Sequence, residues 1–274
     1  MILSIITINR NNATGLEKTL QSVASQTCKE FEQIIVDGAS TDGSVDVIRK
    51  YVESLRDRVK WISEPDKGVY NAMNKGIAMA SGEYVQFLNS GDSLASNDVV
   101  ERMMQELMQN DNPPILYGNM FKQMPNGKLL KDNGSARHDF TLLDFYIGTL
   151  NHSSAYIKKD LFDKYGRYDE DYRIVSDWKW FTQAIVLGGE KPIYTDIDVS
   201  IFDMNGISET NKELASKERA EVLEDLIPAP ILADYKRWTP AIRQMRRIER
   251  YPWAKKLVWF LDRVLFKWEK RKNR

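Results

Sequence analysis

The sequence predicts an α/β fold with a mostly parallel, doubly wound central sheet flanked by helices. Three observations predict it. Short β-branched apolar runs alternate with amphipathic helical segments through about the first 110 residues, an order that gives parallel strands and right-handed crossovers. The runs are apolar throughout, as strands covered on both faces must be. Polar residues gather at the carboxyl ends of those runs, the edge where such sheets hold ligands.

Ile2 to Ile8 is the first predicted strand. Thr14-Gly15-Leu16-Glu17 has capping-box spacing, and Leu16, Leu20 and Val23 share one face of the helix that follows. Ile34-Ile35-Val36 is the second strand, ending at Asp37-Gly38; Thr41-Asp42-Gly43-Ser44 then opens a helix with Val45, Ile48, Val52 and Leu55 inward. Val59 to Ser63 is the third strand, followed by a helix from about Gly68 to Ala80 with Gly82 as its stop. Tyr84 to Leu88 is the fourth strand, running into Asn89-Ser90-Gly91-Asp92. The next part is less regular. Ile115 to Gly118 and Lys128 to Lys131 read as strands of a smaller mixed sheet, Ser176-Asp177 opens a helix to Leu187, and Tyr194 to Phe202 is a further strand. Beyond Asn205 the chain turns helical and charged, with Pro228, Pro230, Pro240 and Pro252 expected as breaks. The division expected is therefore 1–205, with halves at about 1–118 and 119–205, then a helical extension over 206–274.

A chain of 274 residues can bury a large core. Its formal net charge of zero argues against a whole-protein nucleic-acid binder. The charge is unevenly spread: Tyr235 to Arg274 carries 14 Lys/Arg against 3 Asp/Glu, and the preceding residues carry 25 against 36. An acidic body with a basic tail predicts an anionic partner for the tail. Cys28 is the only cysteine, which removes intrachain disulfides and Cys-based zinc sites. Ile2 to Ile8 lacks a basic leader and meets Asn9-Arg10-Asn11-Asn12 at once, and no run of about 18 apolar residues occurs. These features point to a cytoplasmic location.

The first strand-to-helix loop has neither Gly-x-Gly-x-x-Gly nor Gly-x-x-x-x-Gly-Lys, which removes the usual support for dinucleotide-binding and P-loop readings. Asp37, just past a buried strand, is placed either to accept from a base N–H or ribose hydroxyl or to shape a turn; Asp42 reads better as a helix cap. Asp92 is either a turn residue or the hard oxygen ligand that a divalent cation wants beside a diphosphate. Ser176-Asp177 is either a helix cap or a base projected into a cleft. His138 and His152 lack metal-ligand spacing.

Four loops occur in order: Ser4 to Asn9, Val36 to Ser44, Glu64-Pro65-Asp66-Lys67-Gly68-Val69-Tyr70-Asn71-Ala72-Met73-Asn74-Lys75-Gly76, and Phe87 to Asp92. Together they resemble the family 2 glycosyltransferases of GT-A fold, particularly bacterial members that build surface polysaccharides. The resemblance covers roughly Met1 to Asn205. It implies that Thr7, Ile8, Asn9, Asp37 and Gly38 hold the base and ribose of a nucleotide-sugar donor, that Asp66, Lys67, Asn74 and Lys75 complete the pocket, and that Asn89, Ser90 and Gly91 border it. The family's Asp-x-Asp motif aligns its last residue with Asp92, implying a divalent cation, Mg²⁺ or Mn²⁺; here Asn89 and Gly91 stand where acidic residues are common, leaving one clear carboxylate. Tyr168 to Trp178 looks like the acceptor-side segment, with Asp169 and, from Asn151-His152-Ser153, His152 on that side. Asp177 matches the family's catalytic base.

The implied reaction is inverting transfer of a sugar, from a UDP-sugar by preference, to an acceptor hydroxyl. The acceptor expected is a lipid-linked saccharide in capsule, O-antigen or exopolysaccharide synthesis. The alternatives are a sugar nucleotidyltransferase, disfavoured by the glycine-poor first loop, and a non-catalytic membrane-associated assembly partner. In the tail, Trp253, Leu257, Phe260, Leu261, Val264 and Trp268 fall at helical spacing among Lys255, Lys256, Arg263, Lys267, Lys270, Arg271 and Lys272. That helix lies on an anionic membrane surface, peripheral to the inner face of the cytoplasmic membrane, or packs on protein, including another copy in a homo-oligomer.

Overall fold

A computed structural model describes residues 2–55, 58–132, 139–204, 206 and 210–272. His138, Asn205 and the Arg271 side chain lie outside the described residues. Two compact units are present, Met1–Val222 and Leu223–Arg274.

The first unit is α/β, as its sequence predicts. Strands β1 (Leu3–Asn9), β2 (Phe31–Asp37), β3 (Val59–Ser63) and β4 (Tyr84–Phe87) are joined through helices α1 (Ala13–Ala24), α2 (Ser44–Ser54) and α3 (Val69–Met79). They pair in parallel in the order β3-β2-β1-β4. β1 and β2 are buried at every position, which is why their sequences are runs and not alternations. Leu16 and Leu20 of α1 pack with Ile35 and Ile48 on one face. Helix α1 starts two residues earlier than the capping-box spacing suggests: Asn12 is its cap, accepting from the Gly15 amide at 3.1 Å.

The sheet then changes character. β5 (Ser93–Leu94), β6 (Ile115–Gln123), β7 (Leu129–Asp132), β8 (Ala155–Lys158) and β9 (Ile193–Asp203) continue it in the order β4-β8-β6-β9-β5, with β7 on β6. β8 runs antiparallel to both β4 and β6, whereas β6 and β9 are parallel. Helix α4 (Val99–Gln109) buries Val99, Val100, Met103, Met104 and Leu107 in the main core with Leu3, Ile5 and Tyr84. The short helices α5 (Leu142–Ile147), α6 (Leu161–Lys164) and α7 (Ser176–Phe181) follow, and α7 continues as a π-helical turn through Leu187.

Helix α8 (Lys212–Leu226) closes the first unit and enters the second. The second unit holds α9 (Ala229–Glu249) and α10 (Pro252–Lys272). Pro228 caps α9 and Pro252 starts α10, as proline's fixed φ favours. Pro240 does not break the chain as expected; it sits inside α9, and the preceding Thr239 hydroxyl bonds the Tyr235 carbonyl at 2.6 Å. Among the described residues, no helix is long and apolar enough to cross a membrane.

Candidate functional site

A cleft of about 1260 Å³ opens at the carboxyl ends of β1 and β4 and is closed on its far side by α7 and α8. Its walls include Ile8, Asn9, Asp66, Lys67, Asn89, Ser90, Asp92, His152 and Asp177. The structure thus brings these expected residues together, from loops up to 169 positions apart. Thr7, Asp37, Gly38, Asn74, Lys75, Gly91 and Asp169 lie outside the cleft lining.

Those outlying residues have definite partners. Asp37 is fully buried and accepts four hydrogen bonds, from Asn9, the Ser40 amide and hydroxyl, and Ser63, at 2.6–2.9 Å. Burial alone would raise its carboxyl, but the Ser40, Ser63 and Asn9 donors hold it below the usual range. Its position braces Asn9, which does reach the cleft. A side chain at Gly38 would collide with Asp66, since an added Cβ would meet Oδ2 at 2.1 Å. Asp66 itself binds the Gly68 amide at 2.9 Å and pairs with Arg10 at 3.7 Å. Thr7 meets Gln33 beneath the floor. Asn74 holds the Tyr168 carbonyl and Glu170, Lys75 pairs with Glu64 at 2.7 Å, and Asp169 pairs with Lys179 at 2.8 Å. Asp42 accepts from the Ser44 amide and hydroxyl and from the Ala13 amide, so it shapes the turn and does not cap the next helix, whose N-cap is Gly43.

The Asn89–Asp92 turn is clamped from α1. The Thr19 hydroxyl accepts from the Gly91 amide at 3.0 Å and donates to the Asp92 carbonyl at 2.6 Å, while Lys18 donates to the Gly91 carbonyl. Gly91 has φ +105°, a conformation that L side chains rarely adopt. The turn aims Asp92 into the cleft wall. Oδ1 accepts from the Asp203 amide at 2.9 Å, and Oδ2 is buried with no protein partner. Burial pushes this carboxyl up to about 7; the Asp203 amide, His152 and Lys18 oppose the rise, and the Asp203 carboxylate adds to it. An orphaned, buried carboxylate oxygen beside a second carboxylate is the environment a hard divalent cation relieves. Among the described residues, no group of three or more His, Cys, Asp or Glu is arranged to hold a cation by itself. The donor set therefore fits Mg²⁺ or Mn²⁺ shared with substrate phosphates rather than a closed protein cage.

Across the cleft, Asp177 stands in the first turn of α7. His152 Nδ1 lies 2.7 Å from Oδ2, and the Tyr70 hydroxyl lies 2.8 Å from Oδ1 and 2.6 Å from the Ile174 carbonyl. Burial alone would raise Asp177, but His152 and Tyr70 keep it below the ordinary carboxylate range. Burial alone would lower His152, and Asp177 and Asp92 outweigh that and raise it. Helix α7 has no side-chain cap of its own. Glu218 of α8 instead pins the segment that leads into it, accepting from the Arg173, Ile174 and Val175 amides at 2.9–3.3 Å. Its neighbour Arg219 donates to the Gly148 carbonyl at 2.7 Å and lies over the Trp178 ring at 4.5 Å.

Sequence reasoning did not single out Arg10, Tyr70, Asp203, Glu218 or Arg219. Tyr70 stands inside one of the quoted loops and was open to notice. Asp203 and Glu218 have no local motif; only the tertiary fold brings them to the site.

The chain's residues 4–166 match the family described as glycosyl transferase family 2. The chain belongs to that family. This glycosyltransferase is 27% identical over 242 residues to the PGL/p-HBAD biosynthesis glycosyltransferase of Mycobacterium bovis BCG, covering 88% of this chain and 92% of that one. It is 31% identical over 208 residues to an uncharacterized glycosyltransferase of Mycobacterium tuberculosis, covering 75% and 76%. Among solved structures it resembles S. aureus TarS 1–349 in complex with UDP-GlcNAc, with TM-score 0.64, 20% identity, and coverage of 82% and 67%. The match spans 40% of a longer TarS chain. A mannosyltransferase from Pyrobaculum calidifontis, solved with GDP-Man and Mn²⁺, matches with TM-score 0.59 and 19% identity over 73% and 56%. These likenesses show a shared GT-A fold. Family membership also decides against the nucleotidyltransferase and non-catalytic readings.

Proposed function

We propose that this glycosyltransferase moves a sugar from a nucleotide-diphosphate donor, a UDP-sugar by preference, to an acceptor hydroxyl with inversion. The observation that carries the reading is the pair of opposed carboxylates. Asp92 faces the cleft from the β4 end with an unpartnered oxygen, and Asp177 faces it from α7 with a histidine attached. The donor lies along Ile8, Asn9, Asp66, Lys67, Asn89 and Ser90, with Thr7, Asp37, Gly38, Asn74, Lys75 and Gly91 bracing that wall. The solved neighbours in complex with UDP-GlcNAc and GDP-Man support a nucleotide-sugar donor. Asp92, with Asp203 adjacent, would hold a divalent cation. When bound, that cation supplies the charge that offsets the negative charge growing on the departing diphosphate. On the acceptor side Asp177, paired with His152, carries the base function, while Asp169, paired with Lys179, braces the segment leading to α7. General-base help of this kind contributes about 10²–10⁴-fold.

The deciding experiment is a thermal-shift screen of UDP, GDP, UDP-glucose, UDP-GlcNAc and GDP-mannose with Mn²⁺ or Mg²⁺. Stabilisation by at least one nucleotide, enhanced by the cation, is expected. No shift with any combination sinks the reading.

A lipid-linked saccharide acceptor, of the kind used in bacterial surface-polysaccharide synthesis, is proposed from α10. Trp253, Phe260 and Trp268 are exposed there, and the surrounding Lys and Arg suit an anionic lipid surface, at about 1 kcal/mol per nearby basic residue. Trp259 and Phe266 are exposed too, so the apolar surface is wider than one stripe. Replacing Trp253, Phe260 and Trp268 with Ser should abolish co-sedimentation with phosphatidylserine vesicles. Undiminished co-sedimentation would remove α10 as the anchor.

A further inference from the structure

The base proposed above is not a lone carboxylate. Both oxygens of Asp177 are engaged, Oδ1 with Tyr70 at 2.8 Å and Oδ2 with His152 Nδ1 at 2.7 Å. The other imidazole nitrogen, Nε2, has a single long neighbour, the Asn89 amide at 3.5 Å. His152 lines the cleft between Asn89 on the donor side and Asp177 on the acceptor side. An Nδ1–H donated to a carboxylate fixes the tautomer that leaves a lone pair on Nε2, the arrangement by which a buried aspartate orients an imidazole base.

Resting on the transfer reaction proposed above, we propose that His152 Nε2 receives the acceptor's proton and that Asp177 acts through the imidazole. The acceptor oxygen bonds the anomeric carbon as that carbon's bond to the diphosphate oxygen breaks, and the bonding pair leaves on the diphosphate. The acceptor's proton moves to Nε2, giving an imidazolium paired with the Asp177 carboxylate, and later passes to water. Asn89 suits both states. Its Nδ2 faces Nε2 while its Oδ1 is buried without a partner. Rotating the amide presents Oδ1 to the new Nε2–H, whereas a carboxylate at this position would favour the imidazolium from the start.

The test uses the full chain with Mn²⁺ and UDP-glucose, UDP-GlcNAc or GDP-mannose, reading nucleoside diphosphate release. His152→Gln and His152→Gly should each lower kcat by about 10²–10⁴-fold, with UDP affinity by calorimetry kept within about twofold. Added imidazole should restore His152→Gly in proportion to its concentration. His152→Gln above about a tenth of the unmutated rate overturns the proposal, as does His152→Gly that binds UDP normally yet ignores imidazole. The chain has two histidines, so ¹⁵N spectra with His138→Gln for assignment read the tautomer directly. A proton on Nδ1 and a bare Nε2 are expected; the opposite tautomer overturns the proposal. Failure of the reaction itself looks different, since the unmutated chain would then release no nucleoside diphosphate from any of the three donors.

Discussion

Two carboxylates at opposite ends of the same parallel sheet, Glu32 and Asp92, are equally closed to solvent, at 3% and 4% exposure. Glu32 sits at the amino end. It accepts from the Ser4 hydroxyl and from the amide and hydroxyl of Ser81 at 2.6–2.7 Å, and Lys60 pairs with it at 2.8 Å. Burial alone would raise it, yet Lys60, Ser4 and Ser81 hold it at about 2. Asp92 sits at the carboxyl end, and burial carries it up to about 7 because one oxygen meets no donor. Asp92 is the more deeply enclosed of the two, so depth and the missing donor together raise it, while the donors on Glu32 overcome a milder burial. The amino end is satisfied and serves stability; the carboxyl end is left in need of a ligand.

The comparison can be tested first where the largest effect is expected. Asp177→Asn should reduce transfer by about 10²–10⁴-fold while leaving UDP affinity nearly intact; near-normal turnover would show that the carboxyl end does not carry the chemistry through this group. Next, Asp92→Ala should weaken cation-dependent UDP binding by at least the roughly 10–100-fold typical of losing a metal's supporting group. Unchanged calorimetric affinity would refute that. Asp92→Asn should leave the ligand-free Tm unchanged or raised, since it removes a buried carboxylate with an unpartnered oxygen. Glu32→Gln should do the reverse, lowering stability by about 1–3 kcal/mol with kcat unaffected.

The Glu32 effect has a defined pH window. Its folded pKa, about 2, lies below the ordinary glutamate value of 4.5. The stability it contributes is therefore present above about pH 4.5 and is lost as pH falls towards 2. Thermal melts between pH 5 and 2 should show a shallower acid decline for Glu32→Gln than for the unmutated chain. Parallel declines would mean that other carboxylates dominate acid unfolding.

The amino-terminal strands were legible because buried parallel strands must be apolar runs, and the polar groups ending them stand out against Ile5, Ile35 and Val85. Asp92 was legible for the same reason. The partners were not. No spacing announces that Asp37 spends its carboxylate on Asn9, Ser40 and Ser63, or that Asp203 approaches Asp92 from a strand more than 100 residues later. The helix start at Asn12 was missed because Thr14 and Glu17 mimic a capping box inside the first turn. Pro240 does not end α9, since a proline removes only its own amide and the helix continues on both sides of it.

The Glu218 clamp matters for anyone building chimeras within this family. The family match ends at residue 166, whereas the base-bearing turn begins near Arg173 and is pinned by a carboxylate at 218. A graft of residues 4–166 onto another member's remainder would transplant a donor face without the support for its own acceptor face. Because Glu218 grips three backbone amides and no side chains, a recipient supplying any well-placed carboxylate there could substitute for it, whatever its local sequence. A swap point that keeps the clamp native lies after Val222, where the first compact unit ends.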